Sequence, residues 1–306
     1  MNSINFSQIK SVFYEYRNAF IYLNEVIIMK CEIGIRAHDL PIYDDTEKLA
    51  NKLWNYGLYN IQFSPKFSLK DETDSGKNMS YGLAHHTKEI LDQKTINIAI
   101  LGCYVNIIHP NKVKRNESIE LFSQYLSYAK SMGSPIVATE TGSITNIYKP
   151  QKENWTKDIF DLTVKQIKKL TNVAEKLGVL VGIEPGVNHP IHNVKTTKEL
   201  IRAINSPNLK IIFDPMNMIL NPADDEEKIV QDGIQEFGND IYAFHIKDYD
   251  FIKGEKQVVP FGSGLAPMSK IAKTIKRFKT RPYVLMEETP QKNFDKSIER
   301  FEDMFH

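Results

Sequence analysis

Four strand-like apolar runs in the second half of this chain each end in a residue that binds hard metal ions. VLVGIEP carries Glu184, LKIIFDP carries Asp214, IYAFHIKD carries His245, and YVLMEE carries Glu287 and Glu288. The numbering separates Glu184, Asp214, His245 and Glu287 by 30, 31 and 42 residues, each about one β-strand plus one helix. A chain that repeats strand then helix at that period builds a parallel sheet. If the sheet closes on itself, every strand ends on the same face, and ligands far apart in sequence converge at one mouth.

The whole chain keeps this beat. Strands are expected at 30–36, 58–63, 97–102, 135–139, 179–183, 209–213, 241–246 and 283–286. Helices are expected at 44–55, 81–91, 118–132, 155–177, 197–204, 225–237, 267–278 and 294–304. Eight strand–helix units predict an α/β fold, a (β/α)8 TIM barrel. The length of 306 residues suits one such domain, and no Pro/Gly/Ser linker divides it. The barrel is assigned to residues 29–306. Residues 1–28 read as a short N-terminal extension, either an accessory helix or a stretch ahead of a true start at Met29. Charges at Lys10, Glu15, Arg17 and Glu25 interrupt it, so it makes a poor signal peptide.

Charge narrows the partners. With 39 basic and 38 acidic residues, the net charge of +1 offers no basic surplus for a nucleic acid. No apolar stretch is long enough to cross a bilayer. Cys31 and Cys103, both within apolar runs, predict buried thiols and a reducing, cytoplasmic setting.

Three carboxylates and one imidazole make an oxygen-rich donor set. It favours Mn²⁺ or Mg²⁺, with Co²⁺ or Zn²⁺ also competent. Alternation along a strand puts Gly182 with Glu184, Ile212 with Asp214, and Ala243 with His245 on one face. Of the last pair only one can point inward; Glu287, the first polar residue after YVLM, is preferred as ligand and Glu288 is the fallback. A divalent ion on a carbonyl and its neighbouring hydroxyl acidifies the C–H between them. Two Glu among the ligands are then placed to remove and return that proton.

GIEP, IFDPMN, FHIKD, VPFGSG and VLMEE, with the earlier IGIRAHDLP, IQFSPK, LGCYVN and ATETGS, resemble the xylose-isomerase-like TIM-barrel superfamily of sugar (phosphate) isomerases and epimerases. The likeness spans roughly residues 30–300. It implies that Glu184, Asp214, His245 and Glu287 bind the metal and that Glu184 and Glu287 are the catalytic acid/base pair. The expected function is metal-dependent isomerisation or epimerisation of a sugar, polyol or sugar phosphate, within carbohydrate metabolism. A dehydratase of the inosose or dehydroshikimate type is the alternative. His38, Gln62, Asn106, Glu140, His189, Asn217 and Lys247 are the candidates for substrate binding. His192 and Asp248 stand close behind them, and Gly262–Gly264 marks a turn where barrels often bind phosphate. The resemblance also implies a homo-oligomer.

Two other classes are weighed against this one. An endonuclease IV-like enzyme needs extra His ligands for its metal cluster, and the position three after Asp214 is Asn217. A non-catalytic sugar-binding barrel would not need all four ligand positions filled by competent residues.

Overall fold

The computed structural model describes residues 31–278 and 282–305; the expected N-terminal extension, 1–28, lies outside the described residues. Eight strands close a parallel barrel: β1 (Glu32–Arg36), β2 (Asn60–Phe63), β3 (Asn97–Gly102), β4 (Ile136–Glu140), β5 (Leu180–Glu184), β6 (Leu209–Phe213), β7 (Ile241–Ile246) and, after a hairpin, β10 (Tyr283–Met286). Each pairs with its neighbours in chain order, and β10 pairs with β1 to complete the ring.

The barrel separates two apolar layers. Its interior holds Ala99, Ile100, Ile136, Ala138, Ile212, Ala243 and Leu285. A larger core, including Ile33, Ile61, Leu101, Val181, Ile211, Phe213 and Phe244, packs the outer face of the strands against the helices. The period-2 alternation between these layers decides which strand-end residues enter the mouth. Ile212, Ala243 and Leu285 face inward, so Asp214, His245 and Glu287, two residues on, face inward too. Gly182 sits in the same layer. A Cβ there would lie 2.9 Å from Ala138 Cβ and 3.2 Å from Ile212 Cγ1, so glycine leaves room for the larger neighbours below Glu184.

Short polar side chains start the helices. Asp45, Ser80 and Asp225 accept backbone N–H bonds at the starts of α1 (Thr46–Asn55), α3 (Tyr81–Asp92) and α7 (Glu226–Phe237). The one-turn α2 (Pro65–Ser68) follows β2. Two helices begin earlier than periodicity predicts. The helix expected from 118 is α4 (Lys112–Tyr128), capped by Asn111, because its polar first turns give no apolar signal. The helix expected from 197 is α6 (Val194–Ile204), started by a capping box between Asn193 and Thr196. The 21-residue α5 (Lys157–Leu177) ends at Gly178, in the left-handed conformation.

Short α2 and a hairpin after β7 have no counterpart in the sequence expectations. After β7, β8 (Asp248–Ile252) and β9 (Glu255–Val259) form an antiparallel hairpin. Lys253 and Gly254 both have positive φ, as a two-residue hairpin turn requires. α8 (Met268–Lys276), β10 and α9 (Phe294–Phe305) complete the chain. No helix among the described residues is long and apolar enough to cross a membrane.

Candidate metal centre

Glu184, Asp214, His245 and Glu287 converge at the C-terminal mouth. All four are buried, and their ligand atoms lie within 4.8 Å of one another. His245 Nδ1 is 3.2 Å from Glu287 Oε2 and 3.4 Å from Glu184 Oε2. Neither His245 ring nitrogen makes a hydrogen bond among the described residues. Buried polar groups are normally hydrogen-bonded, so an imidazole without such bonds facing carboxylates is a donor looking for a cation. Ligand bonds of about 2.1 Å put trans atoms about 4.2 Å apart, so small shifts close this set on one ion. The donor types and their spacing fit a divalent metal.

The cluster's electrostatics are strained in the way such a site requires. Burial pushes Glu184 up, and it pushes Asp214 up to about 7 even with Lys247 beside it. Burial also acts to raise Glu287, but Lys247, His245 and Arg36 overcome it and hold that carboxyl well below the usual range. Against burial, the carboxylates of Glu287 and Glu184 raise His245 to about 9. Three carboxylates in one dry mouth are costly without compensating positive charge.

Two neighbours brace the ligands. Asn217 donates from Nδ2 to Glu184 Oε1 at 2.8 Å and from its backbone N–H to Asp214 Oδ1 at 3.0 Å. Lys247, two residues after His245 and just past the end of β7, is itself buried and donates to Glu287 Oε1 at 2.5 Å. Its Nζ also lies 2.9 Å from Asp214 Oδ2 and 3.2 Å from Glu288 Oε2. Asn217 and Lys247, both expected to touch substrate, thus have the ligand carboxylates as their direct partners. Glu288, the fallback ligand, is 39% exposed with a φ of 55° and stands outside the cluster, paired with Arg36 at 3.2 Å.

Above the cluster lies a cavity of ≈ 880 Å³. His38, Glu140 and His189 line it. His189 Nε2 is 3.3 Å from Glu140 Oε1, and its Nδ1 lies 3.0 Å from the Gly142 carbonyl oxygen. Burial would raise Glu140, but His189 holds it below its ordinary value. His38 stacks on Phe67 at 4.5 Å, and burial together with Arg36 lowers it to about 3, which keeps it neutral.

Other expected residues are engaged elsewhere. Gln62 is fully buried and donates to the Tyr104 hydroxyl, so it reaches the cavity only through that ring. Asn106 is not among the residues lining the cavity. It donates to the Ser143 carbonyl at 2.8 Å and to Asn146 Oδ1, and accepts from the Ile108 and Ser143 amides, which ties two loops together. His192 stacks on Trp155 at 4.8 Å, away from the cavity. Asp248 is buried and accepts from Gly264 N at 2.8 Å and Ala266 N at 3.2 Å. The glycine turn considered for phosphate therefore already holds an internal carboxylate.

The sequence reading also missed Arg36, Lys66, Tyr104, Tyr148 and Lys256 on the cavity wall. Arg36, the last residue of β1, had the one detectable signal: a strand-end position like those of the ligands. It binds Asp39 Oδ1 from Nε and Nη2 at 2.9 and 2.6 Å and reaches 3.8 Å from Glu287 Oε2.

Solved structures share this architecture. The E. coli 3-keto-D-glucoside 4-epimerase superposes with a TM-score of 0.70 at 13% identity, covering 90% of this chain and 100% of that one. The probable 3-DHS dehydratase of petrobactin synthesis from Bacillus anthracis gives 0.67 at 16%, covering 89% and 97%. The IOLI protein with a bound zinc atom gives 0.68 at 17%, covering 90% and 96%. No curated protein sequence matches the chain. The profile of the family described as Xylose isomerase-like TIM barrel matches residues 35–304, and the chain belongs to that family.

Proposed function

We propose that this protein is a divalent-metal-dependent isomerase, an epimerase or aldose–ketose isomerase acting on a small hydroxylated carbonyl compound of the sugar, polyol or sugar-phosphate class. The observation that carries the reading is the cluster of Glu184, Asp214, His245 and Glu287 at the floor of a cavity large enough for such a substrate. These four residues would hold the ion, with Mn²⁺ or Mg²⁺ matching the oxygen-rich set. When bound, the ion supplies Lewis-acid polarisation of a carbonyl and its adjacent hydroxyl.

The protein's own groups do the rest. Glu184 and Glu287 serve as the proton-transfer pair, one taking the proton from the carbon beside the carbonyl and the other returning a proton. Asn217 fixes the Glu184 carboxylate, and Lys247 fixes that of Glu287. Lys247 and Arg36 offset the negative charge that develops on the substrate oxygens. His38, Glu140 and His189 bind its hydroxyls from the cavity wall.

A dehydratase is the second reading, supported by the pair of buried His189 and half-buried Glu140. An imidazolium held by a carboxylate can hand a proton to a departing hydroxyl. Incubation with Mn²⁺ in deuterium oxide against ketoses, inososes, keto-glycosides and their phosphates tests both. Deuterium at a carbon next to the carbonyl supports proton transfer. Loss of water with a new conjugated carbonyl absorbance selects the dehydratase. No exchange and no turnover across the panel, with metal bound, counts against both.

A further inference from the structure

The β8–β9 hairpin packs on the turn that follows β6. Tyr249 from the hairpin forms a small apolar cluster with Met216 and Ile219 of the turn, flanked by Phe251 and Val258. At its base, Asp248 is tied to the Gly264 and Ala266 amides. The most specific contact is Lys256 on β9. Its ammonium donates to the carbonyl oxygens of Met216 at 2.7 Å and Ile219 at 2.6 Å.

Those two carbonyls bracket Asn217, in the 3-10 turn Met216–Met218. Asn217 contacts two ligand residues and a loop: its side chain holds Glu184, its N–H holds Asp214, and its carbonyl accepts from Val187 N at 2.8 Å. Lys256 staples this turn from the hairpin that packs on it. A two-point, charge-assisted bond to backbone carbonyls fixes a turn more tightly than apolar packing alone.

We propose that Lys256 is a positioning residue for the metal centre: by clamping the 216–219 turn it sets Asn217, and through Asn217 the orientation of Glu184 and Asp214. The hairpin is then part of the centre's second layer of support as well as a wall of the cavity. This rests on the metal reading given above.

Binding of Mn²⁺ alone, followed by calorimetry and by the manganese EPR spectrum, tests it without any substrate. Partners that orient ligands typically change metal affinity by about 10–100-fold. Lys256→Met is expected to weaken Mn²⁺ binding roughly tenfold and to broaden the EPR lines, with the melting temperature of the EDTA-treated protein near wild type. Lys256→Arg, which keeps the charge and two donors, is expected to recover most of the affinity. Asn217→Ala should weaken binding comparably, and the Lys256→Met/Asn217→Ala double variant should be no worse than the weaker single, since both act through one path. If Lys256→Met destabilises the fold, Lys256→Gln, a shorter neutral donor, is read in its place against the same Arg rescue. Wild-type Mn²⁺ affinity in Lys256→Met, or losses that add in the double variant, overturns the proposal alone. A wild-type protein that binds no Mn²⁺ overturns the metal reading and this proposal with it.

Discussion

Polar residues at and just beyond the strand ends meet different fates in the two halves of the barrel. At the ends of β5, β6, β7 and β10, Glu184, Asp214, His245 and Glu287 converge on one spot, where Lys247 and Arg36 offset part of the carboxylates' repulsion. On the β1–β4 side, Gln62 turns to Tyr104, Glu140 pairs with His189, His38 stacks on Phe67, and Asn106 ties loop to loop. A polar residue at a strand end thus joins a candidate metal cluster where like residues converge on it, and forms a wall or brace where it stands apart from them.

The largest expected effect falls on the converging side. Glu184→Gln should abolish solvent exchange into any substrate, and His245→Ala should lower Mn²⁺ affinity at least a hundredfold, read by mass spectrometry and calorimetry. Stoichiometric metal in His245→Ala would break the four-ligand description. Lys247→Met comes next and has an opposite sign. It removes an ammonium from Asp214 and Glu287, so Mn²⁺ binding should tighten about tenfold, while the EDTA-treated protein loses about 3–5 kcal/mol in urea melts, the usual cost of leaving one side of a buried ion pair unmatched. Weaker Mn²⁺ binding would show that Lys247 supports the ligands more than it competes for them.

Asn106→Ala sharpens the contrast from the other side. Loss of its loop hydrogen bonds should cost about 1–3 kcal/mol in the same melts and leave Mn²⁺ affinity unchanged; a tenfold loss of affinity would erase the difference between the halves. A pH-dependent effect concerns Glu226, buried at the start of α7, where burial and the charges of Asp214 and Asp248 raise its carboxyl to about 8. The folded state therefore keeps a proton that the unfolded chain loses near its ordinary value, so this group's contribution is full at low pH and is lost as pH rises towards 8. Glu226→Gln should nearly match wild type at pH 5 and become progressively the more stable of the two as pH rises to 8, the gap growing by at most about 1.4 kcal/mol per pH unit and levelling off above it. A gap that does not change with pH would contradict it.

The barrel and its four converging residues were legible because both depend on short-range rules: strand alternation, and a strand–helix period carried by apolar runs. For the last strand the sequence preferred Glu287 only as the first polar residue after YVLM; the structure adds that Leu285 faces inward, and so Glu287 two residues on. Asn106 and Asn217 were not legible in their roles, since an amide's work depends on which loop folds over it. The β8–β9 hairpin left a signal, Lys-Gly between alternating residues of DYDFI and EKQVV, that was overshadowed by the later Gly-Ser-Gly turn. Lys256 and Arg36 gave weaker cues still, because a lone cation in a strand reads as solvated until its partners are seen.

The most direct measurement is metal content and Mn²⁺ titration of wild-type protein beside an Asp214→Asn/His245→Ala variant, each dialysed against EDTA and then against the metal. The account predicts one ion per wild-type chain, melting at higher temperature when loaded, and none in the variant. No ion in the wild type, or one ion in both, would contradict the assignment of Glu184, Asp214, His245 and Glu287 as the metal centre.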